Sequence, residues 1–215
     1  MSRLRVHCFS VSVDGYSAGP NQDLSNPVGV GGLPVFGWQF ATRTHHQWHG
    51  KEGGATGLDD DMVIKGFEGI GAWIMGRNMF GPIRGPWKDD AWKGWWGDNP
   101  VYHAPVFVLT HHARPPITMQ GGTTFHFVTD GIHAALDQAK KAANGKDVRL
   151  GGGISTMKQY LRAALVDDMH FVLSPSLIGS GERLFEDLNL PESGYQLKDH
   201  IPSPGATHVT IGRQK

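Results

Sequence analysis

The chain has 215 residues, and its 20 Lys and Arg balance its 20 Asp and Glu, so it carries no net charge at pH 7 with histidine neutral. That balance excludes a general nucleic-acid or membrane-surface binder, which needs a basic excess, and 39% hydrophobic residues with seven tryptophans exclude disorder. A single cysteine, Cys8, excludes an intrachain disulfide framework and a thiolate-rich zinc site.

Residues 1–7 lack the long apolar stretch of a signal peptide, and no window approaches the ~20 apolar residues of a membrane span. A soluble cytoplasmic protein is expected. Leu4 to Val13 alternates, is rich in β-branched and aromatic residues, and reads as a first strand with Cys8 as a small core residue. Asp14 to Pro20 reads as a turn, and a glycine-rich loop continues to Pro34. Loops of that length in a compact domain are functional or mobile. Phe36 to Trp48 can hold a short aromatic helix. Within it His45, His46 and His49 share one helical face, but no carboxylate or cysteine completes a shell, so no metal is expected.

Met62, Val63, Phe67 and Ile70 form an apolar stripe at helical spacing, with Asp59, Asp60 and Asp61 at the positive end of that helix. Ala72 to Met75 reads as a buried strand that turns through Gly76 into a short helix ending at Phe80. Pro82 to Pro105 is a long excursion carrying Trp87, Trp92, Trp95 and Trp96. These indoles suit the wall of a planar substrate site, a core, or a dimer surface. Strands follow at Val106–Leu109 and Thr124–Val128, then a helix from Gly131 to Ala143, a strand at Val148–Leu150, a helix from Ser155 to Leu165 and a strand at Met169–Leu173. Tyr195–Lys198 and Thr207–Ile211 look like closing antiparallel pieces. Strands alternating with helices predict an α/β chain with a mainly parallel sheet covered on both faces. No repeat or linker interrupts it, so residues 1–215 read as one domain.

The most informative stretch runs from Val148 through Gly151, Gly152 and Gly153 to Thr156. A short apolar run meets three glycines, which admit sharp turns and close ligand approach. The unpaired amides of the following helix start then suit a phosphate. Parallel sheets bind ligands at the carboxyl ends of their strands. Three strand ends carry suitable groups: Gly76-Arg77-Asn78, Leu109-Thr110-His111 and Gly151 to Ser155. If adjacent, they offer helix N-termini for a pyrophosphate and a cation for a further phosphate, an arrangement that suits NADPH.

In this order the motifs resemble the dihydrofolate reductase-like superfamily, and within it the riboflavin-biosynthesis reductase (RibD C-terminal-like) domains. The resembling pieces are Phe9 to Ala18, Ile74 to Phe80, Val106 to Thr110, Leu150 to Gly153, Leu161 to Met169 and Pro175 to Phe185. The resemblance implies a three-layer α/β fold with a central, mostly parallel sheet of about eight strands and helices on both faces. It implies an NADPH-dependent reductase that passes a hydride to a small planar heterocycle, of pterin, deaminated pyrimidine or flavin-like type, in a homodimer. Carried over by position, Arg77 faces the 2′-phosphate, helped by Thr110 and His111. Gly76, Asn78 and Met79 approach the pyrophosphate. Gly152, Gly153, Ile154, Ser155 and Thr156 complete the phosphate and nicotinamide side, and Ala18 lies near the nicotinamide. Asp14 and Tyr16 border the substrate pocket, and counting back from Gly76 places Asp60 as the candidate catalytic acid.

Departures narrow this reading. Met79 stands where dihydrofolate reductase usually has a phosphate-binding threonine, and the first loop lacks the tryptophan-proline substrate signature, which points away from folate. The zinc-deaminase signature of the bifunctional riboflavin enzyme is absent. The alternatives are a protein of the same fold that binds FMN or a nucleotide without turnover, and a dimeric scaffold with a degenerate site.

Overall fold

The structure, a computed structural model, describes residues 2–214; the expected domain ends, residues 1 and 215, lie outside the described residues. The chain groups into two compact units, one of Met1–Arg5 with Gly69–Leu165 and one of Val6–Glu68 with Val166–Lys215.

In the second unit the chain begins with β1 (Leu4–Ser12), whose first two residues count with the first unit, and β2 (Tyr16–Ala18). A 3₁₀ turn at Leu33–Phe36 leads into three helices, α1 (Gly37–Phe40), α2 (Arg43–Trp48) and α3 (Leu58–Lys65). The first unit then supplies β3 (Ile70–Gly76), α4 (Arg77–Phe80), β4 (Pro105–Leu109), β5 (Ile117–Thr118), β6 (Thr124–Val128), α5 (Gly131–Ala142), β7 (Asp147–Gly152) and α6 (Ile154–Arg162). The chain closes in the second unit with β8 (Asp168–Ser174), β9 (Glu182–Arg183), β10 (Tyr195–Pro202) and β11 (Thr207–Arg213).

Among the described residues, the β2–β9 pair aside, the first unit holds five sheet strands and the second four, nine in all where about eight were expected. In the first unit the order is β7-β3-β4-β6-β5. The β7–β3, β3–β4 and β4–β6 pairs are parallel, and β5 returns antiparallel on β6. Strands buried on both faces need continuous apolar runs, and β3 has one: Ala72, Trp73, Ile74 and Met75 are all buried. Burying each such large side chain stabilises by about 1.5–3 kcal/mol. Helix α5 covers β3 and β4 with Ala135, Leu136 and Ala139, and ends on Lys140 and Lys141, which favour its negative pole. Helix α6 buries Met157, Tyr160 and Leu161, and Tyr160 Oη donates to Ile132 O of α5 at 2.8 Å.

The tryptophan-rich excursion has no regular element, yet its indoles are fastened to this unit. Trp92 Nε1 donates to Phe80 O (3.0 Å) and Trp87 Nε1 to His112 O (2.9 Å). Phe80 meets Phe125, Phe127 and Trp87 edge-on, and Trp96 stacks on Phe125. Trp87, Trp92, Trp95 and Trp96 all stay half-buried, so these contacts tie the excursion to the edge of the core.

In the second unit the order is β10-β11-β8-β1, with β10–β11 and β11–β8 antiparallel as expected of the closing pieces. Two local expectations change. The turn after β1 contains β2, paired antiparallel with β9, because a strand of three residues carries no period to read. The helix predicted to reach Ile70 stops at Lys65; Gly66 caps it, and Gly69 at φ 70° sends Ile70 into β3. No helix among the described residues is long and apolar enough to cross a membrane.

Candidate functional site

The carboxyl ends of β3, β4, β6 and β7 surround a cleft of about 270 Å³ that lies wholly within the first unit. Helices α4, α5 and α6 start at three of these ends, so unpaired N–H groups and the positive poles of the two longer helices face the same region. Gly76 is required by packing: its φ of −82° suits any residue, but a Cβ would sit 2.2 Å from Thr156 Oγ1. Gly152 is required by conformation, with φ 137°, and the peptide bond to Gly153 is cis. Gly151 makes room for the Met79 thioether, whose methyl would lie 3.2 Å from an added Cβ.

Arg77 is held on three sides. Its Nη1 donates to Thr110 Oγ1 (3.0 Å), its Nη2 donates to Gly85 O (3.0 Å), and its guanidinium carbon lies 3.3 Å from the centroid of the Trp87 ring. Arg114, itself fixed by Asp90 and by Trp92 O, faces the same indole at 4.9 Å. Burial first, then the charges of Arg84 and Arg114, lower the pKa of Arg77 from its usual value. An arginine stays charged regardless, so the shift reports crowded positive charge. Among the described residues, the lining includes Arg77 and Arg84 and no Asp or Glu. Such a cleft selects an anion.

Nine of the cofactor-binding residues expected from sequence line this cleft, Gly76, Arg77, Asn78, Thr110, His111, Gly153, Ile154, Ser155 and Thr156, together with Leu109 of the Thr110 strand end. Met79 and Gly152 belong to the same junctions but do not line it. Arg84, Gly85, His112, Thr129, Gly131 and Gln159 line it and were missed. Arg84 and Gly85 sit in the unpatterned excursion, which gave no signal. Thr129 and Gly131 open α5 after β6, so the strand–glycine–helix logic applied at Gly153 could have found them.

Ala18, Asp14, Tyr16 and Asp60 fall in the second unit. Ala18 pairs with Glu182. The Asp14 carboxylate accepts from Ser12 Oγ (2.5 Å), Gly179 N (2.7 Å) and Ile178 N (3.1 Å). The Ser12 hydroxyl, followed by those amides, holds it below the usual carboxylate range. Tyr16 Oη accepts from Arg183 Nη2 (2.9 Å), and that guanidinium lies over the Tyr16 ring. Asp60 is buried; Oδ1 accepts from Thr44 N (2.8 Å) and Oδ2 lies 3.9 Å from Arg43 Nε, which anchors the start of α2. The His45 and His49 rings lie 4.3 Å apart, tilted by 31°, while His49 Nδ1 bonds His45 O and His46 Nδ1 bonds Glu52 O. The group of potential metal-ligating atoms among the described residues lies elsewhere, at His7, Cys8 and His170. Adjacent strand residues normally point apart, so no sequence pattern reveals it.

The model of the RibD C-terminal domain family matches residues 6–206. No curated protein sequence matches the chain. Among solved structures, a protein of Shewanella sp. PV-4 named for riboflavin biosynthesis is 20% identical, with full coverage of both chains and a TM-score of 0.57. Dihydrofolate reductase from Enterococcus faecalis, complexed with NADP(H) and RAB-propyl, is 14% identical over 99% of this chain and 97% of its own, with a TM-score of 0.55. At these identities the likeness is one of fold, and the fold is dihydrofolate reductase-like.

Proposed function

The chain belongs to the RibD C-terminal domain family, and from that premise we propose that it acts as a single NADPH-dependent reductase domain whose substrate is a small planar heterocycle. The observation that carries this reading is the cleft at the strand ends of the first unit, cationic at Arg77 and Arg84 and free of carboxylates. Its donors fit the cofactor. Arg77 and Arg84 would hold the 2′-phosphate, and the N–H groups opening α6 at Ile154, Ser155 and Thr156 would hold the pyrophosphate. At about 270 Å³ the cleft falls just below the ~300–1,000 Å³ of whole-ligand pockets, which suits the phosphate-bearing part of a dinucleotide. That the Enterococcus faecalis enzyme was solved with NADP(H) supports the same cofactor here.

When bound, the cofactor supplies a hydride from its nicotinamide ring. The protein's part is to fix orientation and exclude water. Trp87 and Thr110 hold the Arg77 fork in place before any ligand arrives, which reduces the ordering cost of binding.

A thermal shift with NADPH, NADH and FMN side by side tests the proposal. A ligand that binds only the folded state stabilises it by about 2.7 kcal/mol at a hundredfold excess over Kd. NADPH should raise the Tm most. An equal shift with NADH refutes the 2′-phosphate role of Arg77 and Arg84. A shift with FMN alone replaces the reductase reading with a flavin-binding one, and no shift with any of the three refutes both.

A further inference from the structure

Neighbouring side chains of a regular strand leave opposite faces, so His7 and Cys8 of β1 should point apart. They converge instead. Cys8 holds φ at 57°, a left-handed conformation rare for a residue with a Cβ. His7 Nε2 and Cys8 Sγ consequently reach the same carbonyl, Met62 O of α3, at 2.9 and 3.4 Å. His170 of β8 completes the group, with its ring 4.3 Å from that of His7. All three residues are buried, and one ligating atom from each lies within 4.8 Å of the others. Strained backbone of this kind clusters at functional sites.

The hydrogen bonds fix where the protons are. Met62 O only accepts, so His7 Nε2 carries a proton and Nδ1 keeps the lone pair. Cys8 N only donates, at 3.1 Å, so His170 Nδ1 is unprotonated. His170 Nε2 then donates to His208 Nδ1 (3.0 Å), and His208 Nε2 donates to Asp59 Oδ1 (2.7 Å). Asp59 is held in turn by Ser203 Oγ (2.6 Å) and Gly205 N (3.2 Å). Both rings near Cys8 are thereby neutral, and His170 would ligate through the Nδ1 that now accepts from Cys8 N, so binding exchanges that hydrogen bond for a metal bond. A carboxylate at the far end of the chain orients His170, as outer-shell partners of metal sites do.

We propose that His7, Cys8 and His170 form a binding site for one thiophilic divalent cation of the zinc class, with His208 and Asp59 as positioning residues. Two imidazole nitrogens and one thiolate match zinc and not magnesium or calcium, which take oxygen ligands. Binding deprotonates Cys8 and releases that proton to solvent. Contraction to zinc bonds of about 2.0–2.3 Å requires side-chain shifts on the order of 1 Å. No metal was expected from the sequence, where the single cysteine excluded a thiolate-rich site and the His45, His46 and His49 face had no completing ligand; one thiolate with two histidines is a different donor set.

Cobalt(II), added to the reduced full chain in place of zinc, tests the site. A thiolate-to-cobalt charge-transfer band should appear in the near ultraviolet, saturate at one ion per chain and vanish on zinc addition. Cys8 is the sole cysteine, so Cys8→Ser should abolish the band. His208→Ala should keep the band while weakening cobalt affinity ~10–100-fold. Should Cys8→Ser fail to fold, X-ray absorption of zinc-loaded wild type decides: one sulfur at about 2.3 Å with nitrogens at about 2.0–2.1 Å is expected. Absence of cobalt binding, or a shell of nitrogen and oxygen alone as His45, His46 and His49 would give, overturns the proposal.

Discussion

Replacing Arg77 by alanine should weaken NADPH binding ~10–100-fold and change NADH binding by less than about threefold. The magnitude follows from the geometry. Arg77 spends one N–H on Thr110 Oγ1 and one on Gly85 O, which leaves three of the five donors of a guanidinium for an anion. A hydrogen bond to a charged group contributes about 1.5–3 kcal/mol, and each 1.4 kcal/mol is tenfold in affinity. The folding cost should be small. The half-buried cation–π contact with Trp87 is worth about 0.5–2 kcal/mol, Thr110 Oγ1 still accepts from His112 N at 3.1 Å, and the variant relieves the repulsion from Arg84 and Arg114. Fluorescence titration of both nicotinamides against wild type and variant, with melting as the fold control, measures this. Equal losses for the two cofactors would refute the assignment of Arg77 to the 2′-phosphate.

Gly76→Ala should cost about 1–3 kcal/mol by overpacking, because the new Cβ meets Thr156 Oγ1 at 2.2 Å and Thr156 Cβ at 3.1 Å. Urea denaturation reads the cost, and adding Thr156→Ala should recover most of it; a single variant as stable as wild type would sink the packing argument. Burial first, then the charges of His49, His46 and Lys51, bring the His45 pKa down to about 4 from an ordinary 6.5. The unfolded chain therefore takes up that proton first, so stability falls as pH drops from 6.5 to about 4 and is unaffected by this group above that window. His45→Gln should flatten that part of the Tm–pH profile, and an imidazole NMR midpoint near 6.5 would contradict the shift.

Where the fold was legible in sequence, one pattern was responsible. Parallel strands buried on both faces require apolar runs bounded by glycine, and Ala72 to Gly76 and Val148 to Gly152 meet that need locally. The junctions they create were legible for the same reason, which is how nine expected cofactor-binding residues of the cleft were named from residue order alone. Arg84 was not, because it is carried by a segment whose course is set by Trp87 and Trp92 finding carbonyl partners far along the chain. Sequence named Arg77 as a cation at a strand end. It did not contain the indole beneath it or the two arginines that crowd it.

The sequence by itself determined the order of the longer strands and helices, the glycines at the strand ends and the cation at Arg77, because these depend on residues within a few positions of one another. Tertiary structure alone decided that His7 and Cys8 meet His170, since the convergence rests on one positive φ and on a hydrogen-bonded line from His170 through His208 to Asp59. Those bonds join residues up to 149 positions apart, and no local pattern records a contact that only the packed chain creates.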